Sequence, residues 1–222
     1  MNKLVKYIVE RTYRPLLVKY LSKTRIYCYK DIILEIPSEV FHPGFFFSTR
    51  LLLRYISKEA LPGKEFLELG AGSGLLSIYA AKKNAVVTAT DINPVAVKYL
   101  HRNAEKNEVA MDIIHSDLFE NVPDKKFDMV VINPPYYKKD PVSNLDHAWY
   151  CGENGEFFQR LFNELGGYIH DTSNIIMVLC DGCDLQMIRE IASRNSFGLQ
   201  CVYTKTTWLE KNYIFKIIRA AT

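Results

Sequence analysis

The segment Phe66-Leu-Glu-Leu-Gly-Ala-Gly-Ser-Gly74 constrains the fold more than any other part of the chain. A short apolar run over residues 65–69 enters a turn with glycines at 70, 72 and 74, and an apolar helical stretch begins at Leu75. Glycine accepts the positive φ of a tight turn, and without a Cβ it lets a ligand approach the main chain. A strand that turns at once into a helix is the start of a βαβ unit. The downstream pattern agrees. Strands are expected at 65–69, 86–91, 112–116, 127–132, 175–180, 199–203 and 213–218. Helices are expected at about 75–83, 95–107, 156–165 and 185–193. Such alternation predicts an α/β fold around a mostly parallel sheet. Residues 137–154 form the longest irregular stretch, and long loops in such folds line sites.

The chain ahead of this unit has a different character. Residues 1–30 hold eight basic side chains and one acid, Glu10, a net of +7. With a total of +3, the other 192 residues carry −4. A basic arm on a mildly acidic body suits a phosphate-rich partner such as RNA, and equally a solvated helix face. Leu4, Val5, Ile8 and Val9, then Leu16, Leu17, Tyr20 and Leu21, have amphipathic helical spacing, interrupted near Pro15. β-rich runs at 25–29 and 32–36 flank Lys30-Asp31 and predict a hairpin, ended by Pro43-Gly44. Ser48 is placed to cap a helix over 49–57. The expected division is a basic arm over 1–40 and a catalytic domain over 41–222.

No stretch is apolar for the roughly 18 residues a membrane span needs, and the first nine residues read as mature protein, not a secretory signal. The five cysteines are odd in number and scattered, which fits reduced thiols in a cytoplasmic protein. Cys180 and Cys183 have C-x2-C spacing, but Cys151, Cys201 and His170 do not stand at ligand intervals. No metal is expected, and the pair reads as strand-end cysteines. His147, in the loop after Tyr136, is placed where it could touch a substrate, and a solvated loop residue is the plainer reading.

Chemistry concentrates at four strand ends. The glycine spacing is G-x-G-x-G, and the acid Glu68 stands two residues before the first glycine. A carboxylate there attracts an ammonium or sulfonium group and is a poor neighbour for a pyrophosphate. Asp91 closes the next strand, seventeen residues after Gly74, with Ile92 beside it. It can accept hydrogen bonds from both hydroxyls of a ribose, or cap the helix that starts at Pro94. Asp117 can accept from an adenine amino group while Leu118 packs on the ring; a satisfied loop aspartate is the plain alternative. Asn133-Pro134-Pro135-Tyr136 then follows an apolar strand. Two prolines remove two donors and fix φ twice, which makes a rigid corner and a poor strand. An asparagine amide, a proline carbonyl and an aromatic ring at such a corner can hold a planar amino group. Phe46, Phe47 and Tyr137 are candidates for the pocket wall.

In that order these residues resemble the class I S-adenosylmethionine-dependent methyltransferases, over roughly residues 40–220. Asn133-Pro134-Pro135-Tyr136 resembles the signature of those acting on amide or exocyclic nitrogen. The closer likeness is to the HemK-type release-factor glutamine methyltransferases. It rests on Val40-Phe-His-Pro43, on Trp149-Tyr-Cys-Gly-Glu-Asn-Gly155, and on Lys211-Asn-Tyr-Ile-Phe-Lys216. The resemblance implies a Rossmann-like seven-stranded, mostly parallel sheet with helices on both faces and an antiparallel last strand. A short N-terminal helix and β-hairpin are added to it. It implies S-adenosyl-L-methionine as cofactor, held by Glu68, Gly70, Gly72, Gly74, Asp91, Ile92, Asp117, Leu118 and Asn133. Asn133, Pro134, Pro135 and Tyr136 would be catalytic, with Phe47 and Thr49 at the substrate. Phe47-Ser48-Thr49 stands where those enzymes have an acid–Thr pair, and where bacterial members carry a separate helical domain this sequence has some forty residues. Shorter members resemble the chain better in length, and some need a small partner subunit. The implied substrate is a protein glutamine, as in a release factor. The same corner would also suit an adenine or guanine amino group in RNA or DNA. A nicotinamide-dependent oxidoreductase or a silent binding module would need no such corner.

Overall fold

The computed structural model describes residues 23–44, 47–207 and 210–220. The helix expected over the first 21 residues, and Phe46, lie outside them.

Unbroken runs of β-branched residues suit strands buried on both faces. Strand β6 (Phe127–Ile132) ends in such a run, Val130, Val131 and Ile132, all fully buried. It stands at the centre of a seven-stranded sheet. Strands β3 (Glu65–Leu69), β4 (Val86–Asp91) and β5 (Asp112–His115) extend to one side of it. Strands β7 (Ile169–Cys180), β9 (Lys211–Arg219) and β8 (Phe197–Thr206) extend to the other. The order is β5-β4-β3-β6-β7-β9-β8. Pairing is parallel from β5 to β7, and the last strand, β9, runs antiparallel to both β7 and β8. The chain steps outward from β3 to β5, then returns to place β6 on the other side of β3. The switch point of the sheet therefore lies between β3 and β6, where a ligand crevice is expected.

Alternate residues of β6 face opposite cores, as strand geometry requires. Met129 and Val131 join a cluster with helices α1 (Phe47–Ile56), α2 (Leu75–Lys82) and α3 (Pro94–Lys106). Val130 and Ile132 join a second cluster with α4 (Glu156–Leu165) and α5 (Leu185–Arg194). Among the described residues no helix is long and apolar enough to cross a membrane.

The expected hairpin is present as β1 (Arg25–Tyr29) and β2 (Ile32–Ile36). Ile32, Leu34 and Ile36 point into the first core, so this hairpin shares the body's interior. Its free edge is satisfied by two asparagines of α3. Asn107 Oδ1 accepts from Ile33 N at 2.9 Å, and Asn103 Oδ1 accepts from Glu35 N at 2.8 Å. Asn103 Nδ2 also donates to Ser73 O at 2.9 Å, joining the hairpin to the glycine turn.

Several element boundaries differ from expectation. Helix α1 starts at Phe47, so Ser48 is a buried residue of its first turn and not its cap. Helix α3 starts at Pro94, and Asn93 caps it by accepting from Val95 N at 2.9 Å. Strand β7 begins at Ile169, with a register irregularity opposite Phe127 and Met129. The polar run His170-Asp-Thr-Ser-Asn174 there hides the strand signal. Strands β8 and β9 are longer than expected because they pair with each other beyond the core; residues 200–206 of β8 are largely exposed and lack an apolar pattern.

Candidate active site

Leu69 and Ile132 are register partners, so β3 and β6 end side by side. The glycine turn and the Asn133 corner therefore open into one cleft of about 270 Å³.

On the glycine side, φ is 72° at Gly70, 55° at Gly72 and 85° at Gly74. Gly70 and Gly72 line the cleft. Gly74, also expected at the cofactor, is not in the lining. A Cβ at Gly74 would collide with Leu100 Cδ1, so the third glycine lets the turn pack closely on α3.

Glu68 lines the floor and is buried. Its Oε2 accepts from Ser77 N at 2.8 Å and from the Ser77 hydroxyl. Desolvation outweighs these bonds and, with the charge of Asp91, pushes the carboxyl up to about 8. Burial thus favours the neutral acid at Glu68 on its own, and a cation seated beside it favours the carboxylate.

Asp91 Oδ2 accepts from Gly72 N at 2.8 Å, and Oδ1 accepts from Asn93 N at 2.8 Å. Each oxygen keeps a lone pair for a ligand. The helix-cap role considered for Asp91 belongs to Asn93. Burial raises the Asp91 carboxyl; the bonds from Asn93 and Gly72 and the charges of His115 and His147 act against it. Ile92, Asp117 and Leu118 line the next part of the cleft. Asp117 is ion-paired with Arg160 of α4, whose Nη2 also lies 3.4 Å from the Asp117 carbonyl. Leu118 is buried in a left-handed conformation, φ 52°.

On the corner side, Asn133, Pro134, Pro135, Tyr136 and Thr49 line the same cleft. The corner is held by main-chain bonds to the following loop. Tyr136 N and Tyr137 N both donate to Trp149 O, at 3.1 and 2.9 Å, and Cys151 N donates to Tyr137 O at 3.0 Å. Asn133 Nδ2 donates to Thr49 Oγ1 at 3.5 Å, while its amide carbonyl accepts no bond among the described residues. The Tyr136 ring packs 4.8 Å from that of Tyr137 and against the second core. Burial raises its phenol, which stays neutral.

Phe47 and Tyr137, expected as walls, are 41% and 43% exposed and lie outside the lining. The aromatic wall is Phe41 with Trp149, ring centroids 5.4 Å apart. His147 also lines the cleft and acts electrostatically on Asp91. It reaches the site on the 3₁₀ turn Asp146–Ala148. Its place in the loop after Tyr136 was its one hint in the sequence; Arg160 carried none, since it arrives through tertiary packing from a distant segment. Among the described residues no three His, Cys, Asp or Glu side chains gather as a metal site needs.

The lining suits one elongated ligand. Two Cβ-free glycines and a carboxylate with spare lone pairs fit a ribose, the Leu118 side fits an adenine, and an ionisable buried acid fits a cationic amino-acid end. With this sheet order, that is the site of a class I S-adenosylmethionine-dependent methyltransferase. Residues 38–149 match the family described as Methyltransferase small domain, and the chain belongs to that family. A candidate protein N5-glutamine methyltransferase of Methanocaldococcus jannaschii is 38% identical over 146 residues, 63% of this chain and 72% of that one. The ribosomal protein L11 methyltransferase of Thermosipho africanus is 38% identical over 127 residues, 50% of this chain, and is matched over 48% of its own length. Among solved structures, the E. cuniculi Mtq2–Trm112 complex, described as responsible for methylation of the eRF1 termination factor, superposes with a TM-score of 0.62. That match has 20% identity and covers 82% of this chain and 99% of the other.

Proposed function

We propose that this methyltransferase transfers its methyl group to the side-chain amide nitrogen of a protein glutamine, as on a release factor. The observation that carries the reading is the proline-locked corner of residues 133–136 facing the glycine turn across one cleft. The likeness to a candidate glutamine methyltransferase supports the same substrate.

S-adenosylmethionine would be held by Glu68, Gly70, Gly72, Asp91, Ile92, Asp117 and Leu118, and supplies a methyl carbon activated by its sulfonium. The Asn133 side-chain carbonyl and the Pro134 carbonyl accept the two hydrogens of the acceptor NH2. This turns the nitrogen lone pair into the cleft and stabilises the positive charge that develops on nitrogen. Tyr136 would stack its ring on the planar amide, and Phe41 with Trp149 excludes water. No side chain is assigned as a strong base, because the amide proton leaves only after transfer. A small activating subunit is part of the proposal, supported by a structural neighbour that was solved in complex with a second protein, Trm112.

The test is transfer of tritiated methyl groups to a cell extract, divided between protease and nuclease treatment. The glutamine reading expects label that protease releases as N5-methylglutamine. Label lost only to nuclease would overturn it in favour of a base amino group, for which the basic arm would supply phosphate contacts.

A further inference from the structure

Cys180 ends β7 and Cys183 stands just ahead of α5, and the methyl-transfer site as described uses neither. Cys183 N donates to Cys180 O at 3.1 Å, which closes the turn between them. Cys180 N donates to Cys183 Sγ at 3.2 Å, and the two sulfurs are 3.8 Å apart. A turn closed in this way keeps its end Cα atoms within about 7 Å, near the range that a disulfide spans. The backbone is already arranged for one, and side-chain rotation can bring the sulfurs to about 2.05 Å.

The two thiols are unequal. The bond from Cys183, with the Gly182 amide and the Tyr136 hydroxyl, holds Cys180 below the usual thiol range. The same sulfur–sulfur contact and burial push Cys183 up. Such a pair offers a nucleophilic sulfur and a resolving one. The turn also borders the proline corner: a Cβ at Gly182, between the two cysteines, would lie 3.4 Å from Cys180 Sγ and 3.9 Å from Cε1 of Tyr137, the residue next to Tyr136.

We propose that Cys180 and Cys183 form a reversible disulfide, made by a hydroperoxide and undone by a dithiol, that loosens the corner of residues 133–136. The Cys180 thiolate attacks one peroxide oxygen, the O–O bond breaks, and a sulfenic acid forms as the other oxygen leaves as water. The Cys183 sulfur then attacks the Cys180 sulfur and expels the second oxygen as water. Two thiols thus give up two electrons, and one hydrogen peroxide becomes two waters. The new bond shortens the sulfur–sulfur distance from 3.8 Å and so shifts the turn that stands beside Tyr137 and the corner.

The test uses the whole protein, treated with hydrogen peroxide or with dithiothreitol, alongside Cys183→Ser. Peptide mass spectrometry should find Cys180 crosslinked to Cys183 after peroxide only, reversed by dithiothreitol and absent from the variant. Hydrogen exchange at the Tyr136 and Tyr137 amides, both bonded to Trp149 O, should then quicken by about tenfold. Peroxide that takes Cys180 to the sulfinic acid without a crosslink would overturn the disulfide. A crosslink that leaves exchange at those amides unchanged would overturn its reach to the corner. Both readouts come from the protein alone, so they stand or fall apart from the identity of the methyl acceptor.

Discussion

At Glu68 burial and hydrogen bonding pull in opposite directions, and burial wins. The carboxyl rises from 4.5 to about 8. The folded chain therefore keeps a proton that the unfolded chain releases. The stability from this proton is fully present below the unfolded value and is lost as pH rises through the folded one. Glu68→Gln carries a neutral amide of similar shape at every pH. Relative to the parent, the variant should gain stability between pH 5 and 8, by on the order of 3 kcal/mol. Urea unfolding of the ligand-free proteins at the two pH values measures it, and an unchanged difference would mean that Glu68 titrates as an ordinary carboxylate. The position of this acid, two residues ahead of the glycines, was legible in the sequence. Its protonation was not, because that depends on Ser77 and on closure of the core around both.

Helix α3 links fold to site. Asn103 is fully buried and bonds both main-chain groups of Glu35 and the carbonyl of Ser73 in the glycine turn. Asn103→Ala would leave those groups without this partner and should cost about 2–3 kcal/mol. It should also weaken S-adenosylhomocysteine binding, because the glycine turn loses a support. Asn107→Ala frees only Ile33 and the helix's own Asn103 carbonyl, so it should lower stability and leave that affinity alone. Calorimetric titration of both variants decides; equal losses of affinity would contradict a specific link through Ser73. Strands β3, β4 and β6 match their expected limits because each is a dense apolar run closed by a turn. The outer half of β8 was illegible because it is held by backbone pairing to β9 and not by burial. Ser48 misled because it is a good capping residue that is instead buried at the cleft.

At the scale of the whole molecule, the cleft gathers residues from Glu39 to Arg160 at the switch point of the sheet. The strand-end motifs revealed its two poles, the glycine turn and the proline corner, because local backbone chemistry dictates both. The walls between them, Phe41 with Trp149, and the charged groups His147 and Arg160, depend on how the hairpin exit, the long loop and α4 fold together. Periodicity carries no trace of such assembly. The central claim is a division of labour between the poles, with the Asp91 side holding the donor and the Asn133 side orienting the acceptor nitrogen. It is tested most directly by measuring S-adenosylhomocysteine affinity and methyl-transfer turnover in Asn133→Ala and Asp91→Ala. The account predicts that Asn133→Ala loses roughly 100-fold or more in turnover with affinity nearly intact, while Asp91→Ala loses affinity first. Equal losses of affinity in the two variants, or full turnover in Asn133→Ala, would contradict it.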